Sequence, residues 1–371
     1  MFETAIDLLI LFLLGSLGWA LFTPLKVPAA AILGTIAVVG TLRIAGYPLP
    51  VLPEFFSPAV QVFLGIFVGA KVTRETVDQL KAMIPPALLI VIWALGLVFV
   101  MGYFISRITY LDPVTAILSS SVGGLPEMTV IGLDTNADIP AMVTIKLVRM
   151  LATVFTFPFL VKLVVKNEVV VNNNPVNNEQ VAENSNRNLS LKEKLKNIIN
   201  IDLTALLNSI RLSLLSLGIA AAGGLLFLNL GVPAGGMVGS MFFVAAASLL
   251  GVPIITLSPR VFDIMLIGVG LMVADNLVPE TVDTFLTDGI IVPIIISTAI
   301  VFITSFLVAF AIHKLAGWDF TTSFLAAAPG GFMIMTTLAI KYNKDPFRIS
   351  ILHLCRLLSI KSVVPFVFMF Y

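Results

Sequence analysis

The stretch SSSVGGLPEMTVIGL, residues 119–133, decides how the rest of the chain is read. It places three serines, a Gly-Gly pair, a proline and a glutamate inside a chain that is otherwise strongly apolar. A related stretch, AAAPGGFMIMTTLAI, follows 207 residues later at residues 326–340. Turn-forming residues at the same place in two apolar segments indicate one structural unit that is used twice.

The composition of the chain identifies lipid as its surroundings. Of 371 residues, 58% are apolar and only 12% are charged, whereas soluble domains carry roughly 25% charged residues. Apolar runs of about 20 residues recur, and each can cross a bilayer as a helix. Because these runs are continuous rather than alternating, we expect an all-α integral membrane protein.

Other function classes are disfavoured by the same counts. A net charge of +1 gives no reason to expect nucleic acid as a partner. One cysteine and two histidines do not assemble a transition-metal cluster. We therefore expect no cofactor, no metal and no enzymatic activity.

The two halves of the chain are repeats of each other. FTPLKVPAAAILG at 22–34 aligns with FLNLGVPAGGMVG at 227–239, and residues 112–151 align with 319–358 with 12 of 40 positions identical. These identities include Asp, Asn and Arg, which apolar composition alone does not align. We predict a first membrane repeat at 1–165, a polar cytoplasmic linker at 166–202 and a second membrane repeat at 203–371.

Each half holds five apolar runs, with a Gly-Gly stretch between the fourth and the fifth, at about 113–134 and 320–341. Six crossings per half would make the halves parallel, and five would make them antiparallel. If each half crosses the membrane five times, fifteen Lys and Arg residues lie on the cytoplasmic side and only Arg43 and Arg107 lie outside. This distribution is the one that the positive-inside rule requires. We predict ten spans in a bacterial inner membrane, both termini outside, inverted repeats, and two re-entrant hairpins that enter from opposite faces.

The hairpins are the predicted binding site. Re-entrant backbone is tolerated only where protein or a water-filled cavity covers it, and the helix after each turn points its N-terminus at the membrane interior, which favours an anion. Packing by small residues is the alternative reading of one such stretch. The candidate substrate-binding residues are Ser120, Ser121, Gly123, Gly124, Glu127, Thr129, Lys146, Arg149, Gly330, Gly331, Thr336, Thr337, His353 and Arg356.

Basic residues follow each hairpin within an apolar run. Lys146 and Arg149 are three residues apart and share a helix face, as do their repeat partners His353 and Arg356. The arginines suit a carboxylate or phosphate, or else they are structural partners of Glu127 or of hairpin carbonyls. We interpret His353 as a hydrogen-bonded interior residue rather than a proton relay.

Glu127 has no acidic counterpart, because its repeat partner is Ile334. A carboxylate beside a helix N-terminus can bind a coupling cation or take up a proton. Glu127 is therefore the predicted coupling residue for H+ or Na+, and a salt bridge with Lys146 or Arg149 is the alternative.

The repeated segments resemble the AbrB-type membrane protein family, whose chains are duplications of one membrane unit. The resemblance is carried by SSSVGGLPEM with Asp138, Lys146 and Arg149, and by AAAPGGFMIM with Asp345, His353 and Arg356. It spans nearly the whole chain except the linker. The chain departs from the family pattern at Val122, Lys146 and Ile334, so a symmetric two-carboxylate site is not implied.

The expected function is secondary transport of a small organic, anionic solute by an elevator-like or rocking motion. The alternative is a membrane sensor or regulator that binds a ligand at the same site without transport. We also expect a homodimer. The glycines at 231, 235 and 239 suit either its interface or contacts within one chain.

Overall fold

The computed structural model of the chain describes residues 2–135, 137–171, 203–254, 259–286 and 289–368. Every regular element in these ranges is helical, as the continuous apolar runs predict. Most of the predicted linker, residues 172–202, lies outside the described part, and so does Asn136.

The described residues of the first half form seven helices. They are α1 Phe2–Phe22, α2 Ala30–Ile44, α3 Phe56–Gly69, α4 Arg74–Ile108, α5 Pro113–Ser120, α6 Leu125–Asp134 and α7 Ile139–Val171. Single π turns lie within α2, at Ile36–Gly40, and within α4, at Leu97–Met101. Helix α7 continues past residue 165, the predicted end of the first repeat.

The second half repeats this succession, with two helices in place of α4. Its helices are α8 Leu203–Asn229, α9 Gly235–Leu249, α10 Pro259–Ala274, α11 Pro279–Phe285, α12 Ile291–Ala316, α13 Phe320–Ala327, α14 Phe332–Lys341 and α15 Pro346–Phe368. Helices α5 and α13 both have 8 residues, and α6 and α14 both have 10.

Six of the described helices are long and apolar enough to cross a membrane, so the chain is a multi-pass membrane protein. They are α1, α4, α7, α8, α12 and α15. Helices α2, α3, α9 and α10 are apolar but shorter. Ten crossings require these four as well, and that number stays a prediction.

Repeated aspartates start the helices around each Gly-Gly stretch. Asp112 Oδ1 accepts hydrogen bonds from Val114 N and Thr115 N, both at 2.9 Å. Its repeat partner Asp319 accepts from Thr322 N at 3.0 Å. Asp138 and Asp345 likewise accept from backbone N–H groups at the starts of α7 and α15. Four of the repeated acids are thus helix N-caps.

The Asp319 cap is also charge-stabilised. Burial opposes ionisation of its carboxyl, but hydrogen bonds from Thr322 and Lys344 and the Lys344 charge outweigh burial, so its pKa lies below the usual value. Lys344 Nζ lies 2.9 Å from Asp319 Oδ1. The carboxylate form is therefore the one that the folded chain prefers.

Glycine pairs let the first two helices of each half touch. A Cβ on Gly34 would lie 2.2 Å from Gly18 O, and a Cβ on Gly239 would lie 2.0 Å from Gly223 O. These two pairs are related by the repeat offset of 205. Gly235 and Gly239 thus serve packing of α9 against α8 within the chain, whereas Gly231 lies in the turn before α9 with a φ of +66°.

The helices pack into two groups that each combine both halves. The framework bundle comprises α1–α3 and α8–α10, and the break bundle comprises α4–α7 and α11–α15. Contacts between the halves occur in pairs that the repeat relates. Helix α3 packs on α9, and their repeat partners α10 and α2 pack on each other. Likewise α4 packs on α15, and their repeat partners α12 and α7 pack on each other. The two bundles meet where α14 and α15 pack against α3, where α14 packs against α10, and where α11 packs against α2.

Candidate functional site

Each Gly-Gly stretch interrupts a pair of short helices. The first break, residues 121–124, separates α5 from α6, and the second break, residues 328–331, separates α13 from α14. The predicted bounds 113–134 and 320–341 enclose these two helix–break–helix units. Because helical hydrogen bonding stops at each break, carbonyls at the end of the first short helix and N–H groups at the start of the second have no intrahelical partner.

Each break packs against the last helix of the other half. A Cβ on Gly123 would lie 3.0 Å from Ile360 Cγ2 in α15. A Cβ on Gly330 would lie 2.6 Å from Thr153 Cγ2 in α7. Thr153 and Ile360 are themselves repeat partners at the offset of 207. The missing side chains therefore let the two breaks cross-pack in an equivalent manner.

At the first break, two basic side chains from α7 bind the freed carbonyls. Lys146 Nζ lies 3.0 Å from Ser121 O, 2.7 Å from Ser121 Oγ and 3.3 Å from Gly123 O. Arg149 donates to Ser119 O at 2.9 Å and to Ser121 O at 2.7 Å. The positive charges complement the negative end of the α5 dipole.

The second break is bound in the corresponding way from α15. Arg356 donates to Ala328 O at 2.7 Å, and His353 Nε2 lies 3.0 Å from Leu325 O. Arg356 Nη2 lies 2.9 Å from His353 Nδ1. Since a carbonyl only accepts and a guanidinium only donates, Nε2 carries the proton and Nδ1 is the acceptor.

This arrangement fixes His353 as a neutral imidazole between two partners. The ring is fully buried, and protonating Nδ1 would break its bond to Arg356. The contacts agree with our interpretation of His353 as a hydrogen-bonded interior residue.

A cavity of about 480 Å³ lies between the two bundles, where the breaks meet the framework. Val122, Gly123 and Gly124 line it from the first break, and Pro329 and Gly331 from the second. Lys146, Arg149 and Arg356 line the same space. Apolar side chains of α7, α10, α14 and α15 line much of the rest of the cavity.

The starts of α6 and α14 also border the cavity, through Leu125, Phe332 and Met333. Helix N-termini carry partial positive charge and free N–H groups. Three basic side chains and two such termini make this end of the cavity suited to an anion. Arg356 Nε is buried without a hydrogen-bond partner in the described part of the chain.

Carboxylates from loops also line the cavity. Glu54 and Asp275, with Asn276, line the cavity from the loops after α2 and α10. Asp275 is paired with Arg43 at 2.6 Å, across the two halves. Glu54 and Asn276 are exposed, so the cavity reaches the surface here.

Six of the predicted site residues line the cavity: Gly123, Gly124, Lys146, Arg149, Gly331 and Arg356. The other predicted residues outside the lining are Ser120, Ser121, Thr129, Gly330, Thr336, Thr337 and His353. Thr129 and Thr336 hydroxyls bond to carbonyls one turn earlier. Glu127 belongs to α6, but its side chain lies outside the described part.

Two polar residues of α3 were not predicted. Gln61 Nε2 donates to Ser57 Oγ at 3.1 Å, both residues line the cavity, and Gln61 Oε1 has no partner in the described ranges. The sequence signal was available, since Gln61 interrupts the apolar run FSPAVQVFLGIFVG and polar residues inside a span mark function. No group of three or more metal-ligating side chains occurs in the described residues.

Comparison with known proteins gives one family and two relatives. The sequence model of the family described as "Transition state regulatory protein AbrB" matches residues 1–165 and again residues 170–371. The protein YhjN of Bacillus subtilis (strain 168) is 23% identical over 82% of this chain and 76% of its own length. The Escherichia coli (strain K12) protein named "Putative regulator AbrB" is 24% identical over 43% of this chain and 46% of its own length. No solved structure gives a significant match.

Proposed function

The chain belongs to the AbrB family, and on that premise we propose that it is a secondary transporter of a small organic anion. The observation that carries the proposal is the cavity between the bundles, which both breaks and three basic side chains line. Broken helices whose termini meet at a site between repeats are how many secondary transporters bind their solute. A volume of about 480 Å³ suits a small molecule.

Pairing across the halves supports inverted repeats. The predicted topology puts Arg43 and Asp275 outside, and they form an ion pair. It puts Gln79 and Arg348 inside, and they are hydrogen-bonded. Parallel halves with six crossings each would place Arg43 and Asp275 on opposite faces of the membrane, whereas Gln79 and Arg348 would share a face in either arrangement. The same topology makes the helix–break–helix units re-entrant hairpins from opposite faces.

The two-bundle packing supports an elevator-like or rocking motion. The break bundle holds Lys146, Arg149 and Arg356, whereas the framework bundle contributes Ser57 and Gln61 across the cavity. A displacement of one bundle against the other would move the basic groups between the two faces. Because Glu54 and Asn276 lie at its mouth, the cavity opens in this structure toward the predicted outside.

The remaining parts of the proposal follow from the sequence. Glu127 is the proposed coupling residue for H+ or Na+. The protein is a homodimer of the bacterial inner membrane with both termini outside, and it has transport rather than catalysis as its activity. A ligand-binding sensor or regulator is the second candidate, and the name of the Escherichia coli relative, a regulator, favours it.

The first experiment is a ligand-stabilisation screen of the purified protein against small carboxylates, amino acids and phosphonates. A hit should raise Tm, and Arg149→Ala and Arg356→Ala should abolish the shift in folded protein. Counterflow of the hit in proteoliposomes then separates a transporter from a sensor, since only a transporter exchanges labelled solute across the bilayer. If no anion stabilises the protein, or if both variants keep the full shift, the proposed site is wrong.

A further inference from the structure

We propose that the Lys146 ammonium takes the place of a coupling Na+ at the first break, so that the chain binds its anion without Na+. This proposal rests on the proposed function, and it removes Na+ from the candidate coupling ions of that function. In secondary transporters with broken helices, unwound carbonyls and the C-terminal ends of half-helices coordinate the coupling cation. In this chain the corresponding oxygens already hold a cation that belongs to the protein.

The ligand set around Lys146 is that of a small hard cation. Two carbonyl oxygens, Ser121 O and Gly123 O, and the Ser121 hydroxyl lie 2.7–3.3 Å from Nζ. Hard cations in proteins take carbonyl and hydroxyl oxygens. An ammonium has three N–H donors and no acceptor, so it can donate to oxygens of this kind. Lys146 is 5% exposed, so this is an interior site and not a surface contact.

Three further carbonyls at or just before the breaks are also bound by side chains. Arg149 takes Ser119 O and shares Ser121 O with Lys146. At the second break, Arg356 binds Ala328 O and His353 binds Leu325 O. A Na+ entering this end would meet oxygens that are already engaged and three fixed positive charges that repel it.

The two breaks differ in a way that fits this role. The repeat partner of Lys146 is His353, which is held neutral by Leu325 O and Arg356. The repeat partner of Ser121 is Ala328, which has no hydroxyl. The three-oxygen set and the ammonium that fills it therefore occur together at the first break, and neither has its equivalent at the second.

The test needs no solute. Thermal unfolding of the purified full-length protein is followed while NaCl replaces choline chloride at constant ionic strength. The wild type should show no saturable Na+ shift. Lys146→Ala removes the ammonium from the three oxygens, of which Ser121 O keeps its bond to Arg149, and Na+ should then raise Tm saturably, by about 2 °C or more. Methylammonium should act in the same way, because it supplies the lost group.

Matched variants separate this site from other effects of Na+. Lys162→Ala removes an exposed lysine of the same helix, whose Nζ donates to Lys26 O at 3.3 Å, and this variant should gain no response to Na+. Adding Ser121→Ala to Lys146→Ala removes one of the three oxygens and should raise the half-saturating Na+ concentration at least about tenfold, the equivalent of one hydrogen bond of about 1.4 kcal/mol.

A saturable Na+ shift in the wild type overturns the proposal, and this arm holds even if Lys146→Ala does not fold. A folded Lys146→Ala protein without any Na+ response also overturns it, since the oxygens would then not form a cation site. An unchanged half-saturating Na+ concentration after Ser121→Ala is added to Lys146→Ala also overturns the proposal. Failure of the anion screen would contradict the proposed transport function but would leave these Na+ results as they are, so the two failures are distinguishable.

Discussion

At the residue scale, the basic side chains of α7 and α15 are bound to backbone. The sequence predicts that Lys146, Arg149, His353 and Arg356 face the protein interior, because lipid exposure is costly. It leaves open whether the arginines bind an anion or hairpin carbonyls. The structure places both arginines on carbonyls and at the cavity wall. The sequence could not predict these partners, because every residue type has the same backbone carbonyl.

Arg356→Met tests the structural part of this role. The change leaves Ala328 O without its donor and removes the bond to His353. We expect the free energy of unfolding to fall by about 2–3 kcal/mol, measured by denaturant unfolding in detergent. Arg74→Met, at an exposed arginine, should stay within about 0.5 kcal/mol. Equal losses in the two variants would show that the carbonyl contact contributes nothing.

Asp319→Ala tests a repeated cap and its charge. Loss of the cap should cost about 1 kcal/mol near neutral pH. The folded-state pKa of Asp319 is lowered from 3.8, so the stability it contributes is present above that value and is lost as pH falls through the folded pKa. The difference between wild type and variant should therefore shrink in acid. The exposed Asp78→Ala is the control, and a pH-independent difference would contradict the charge contribution.

At the element scale, the two helix–break–helix units could be predicted closely. The predicted bounds 113–134 and 320–341 are those of α5–α6 and α13–α14, because the capping aspartates and the Gly-Gly pairs are local signals. The position of Gln61 in the cavity wall could not be predicted from the repeat, since its partner in the second half is Leu266. Which helices pair across the halves is decided by tertiary packing.

Gly330→Ala tests the close approach of the second break to α7. The new Cβ would lie 2.6 Å from Thr153 Cγ2 and 2.7 Å from Met335 Cε. We expect a loss of about 1–3 kcal/mol from overpacking, measured by chemical unfolding. Gly218→Ala places its Cβ in open space within a helix and should be neutral or stabilising. If both variants were equally stable, the break would not be tightly packed.

At the scale of the whole molecule, the repeat of the sequence reappears as exchanged pairs of contacts. Glycine pairs 18/34 and 223/239, and the contacts of Gly123 with Ile360 and of Gly330 with Thr153, are related by the repeat offsets. The duplication was readable because Asp, Asn and Arg aligned. The sorting of helices into a framework bundle and a break bundle was expected only in outline, since amphipathic patterns are weak where lipid and protein are both apolar.

The central claim is that the two copies are inserted in opposite directions, and repeat-related positions on exposed segments test it most directly. Glu75 and Glu280 occupy the same place in ETVDQL and ETVDTF, and both are exposed. In a Cys355→Ser background, Glu75→Cys and Glu280→Cys are labelled in intact cells with a membrane-impermeant maleimide. The account predicts that Cys at 280 reacts from outside, and Cys at 75 only after permeabilisation. Labelling of both positions from the same face would contradict it.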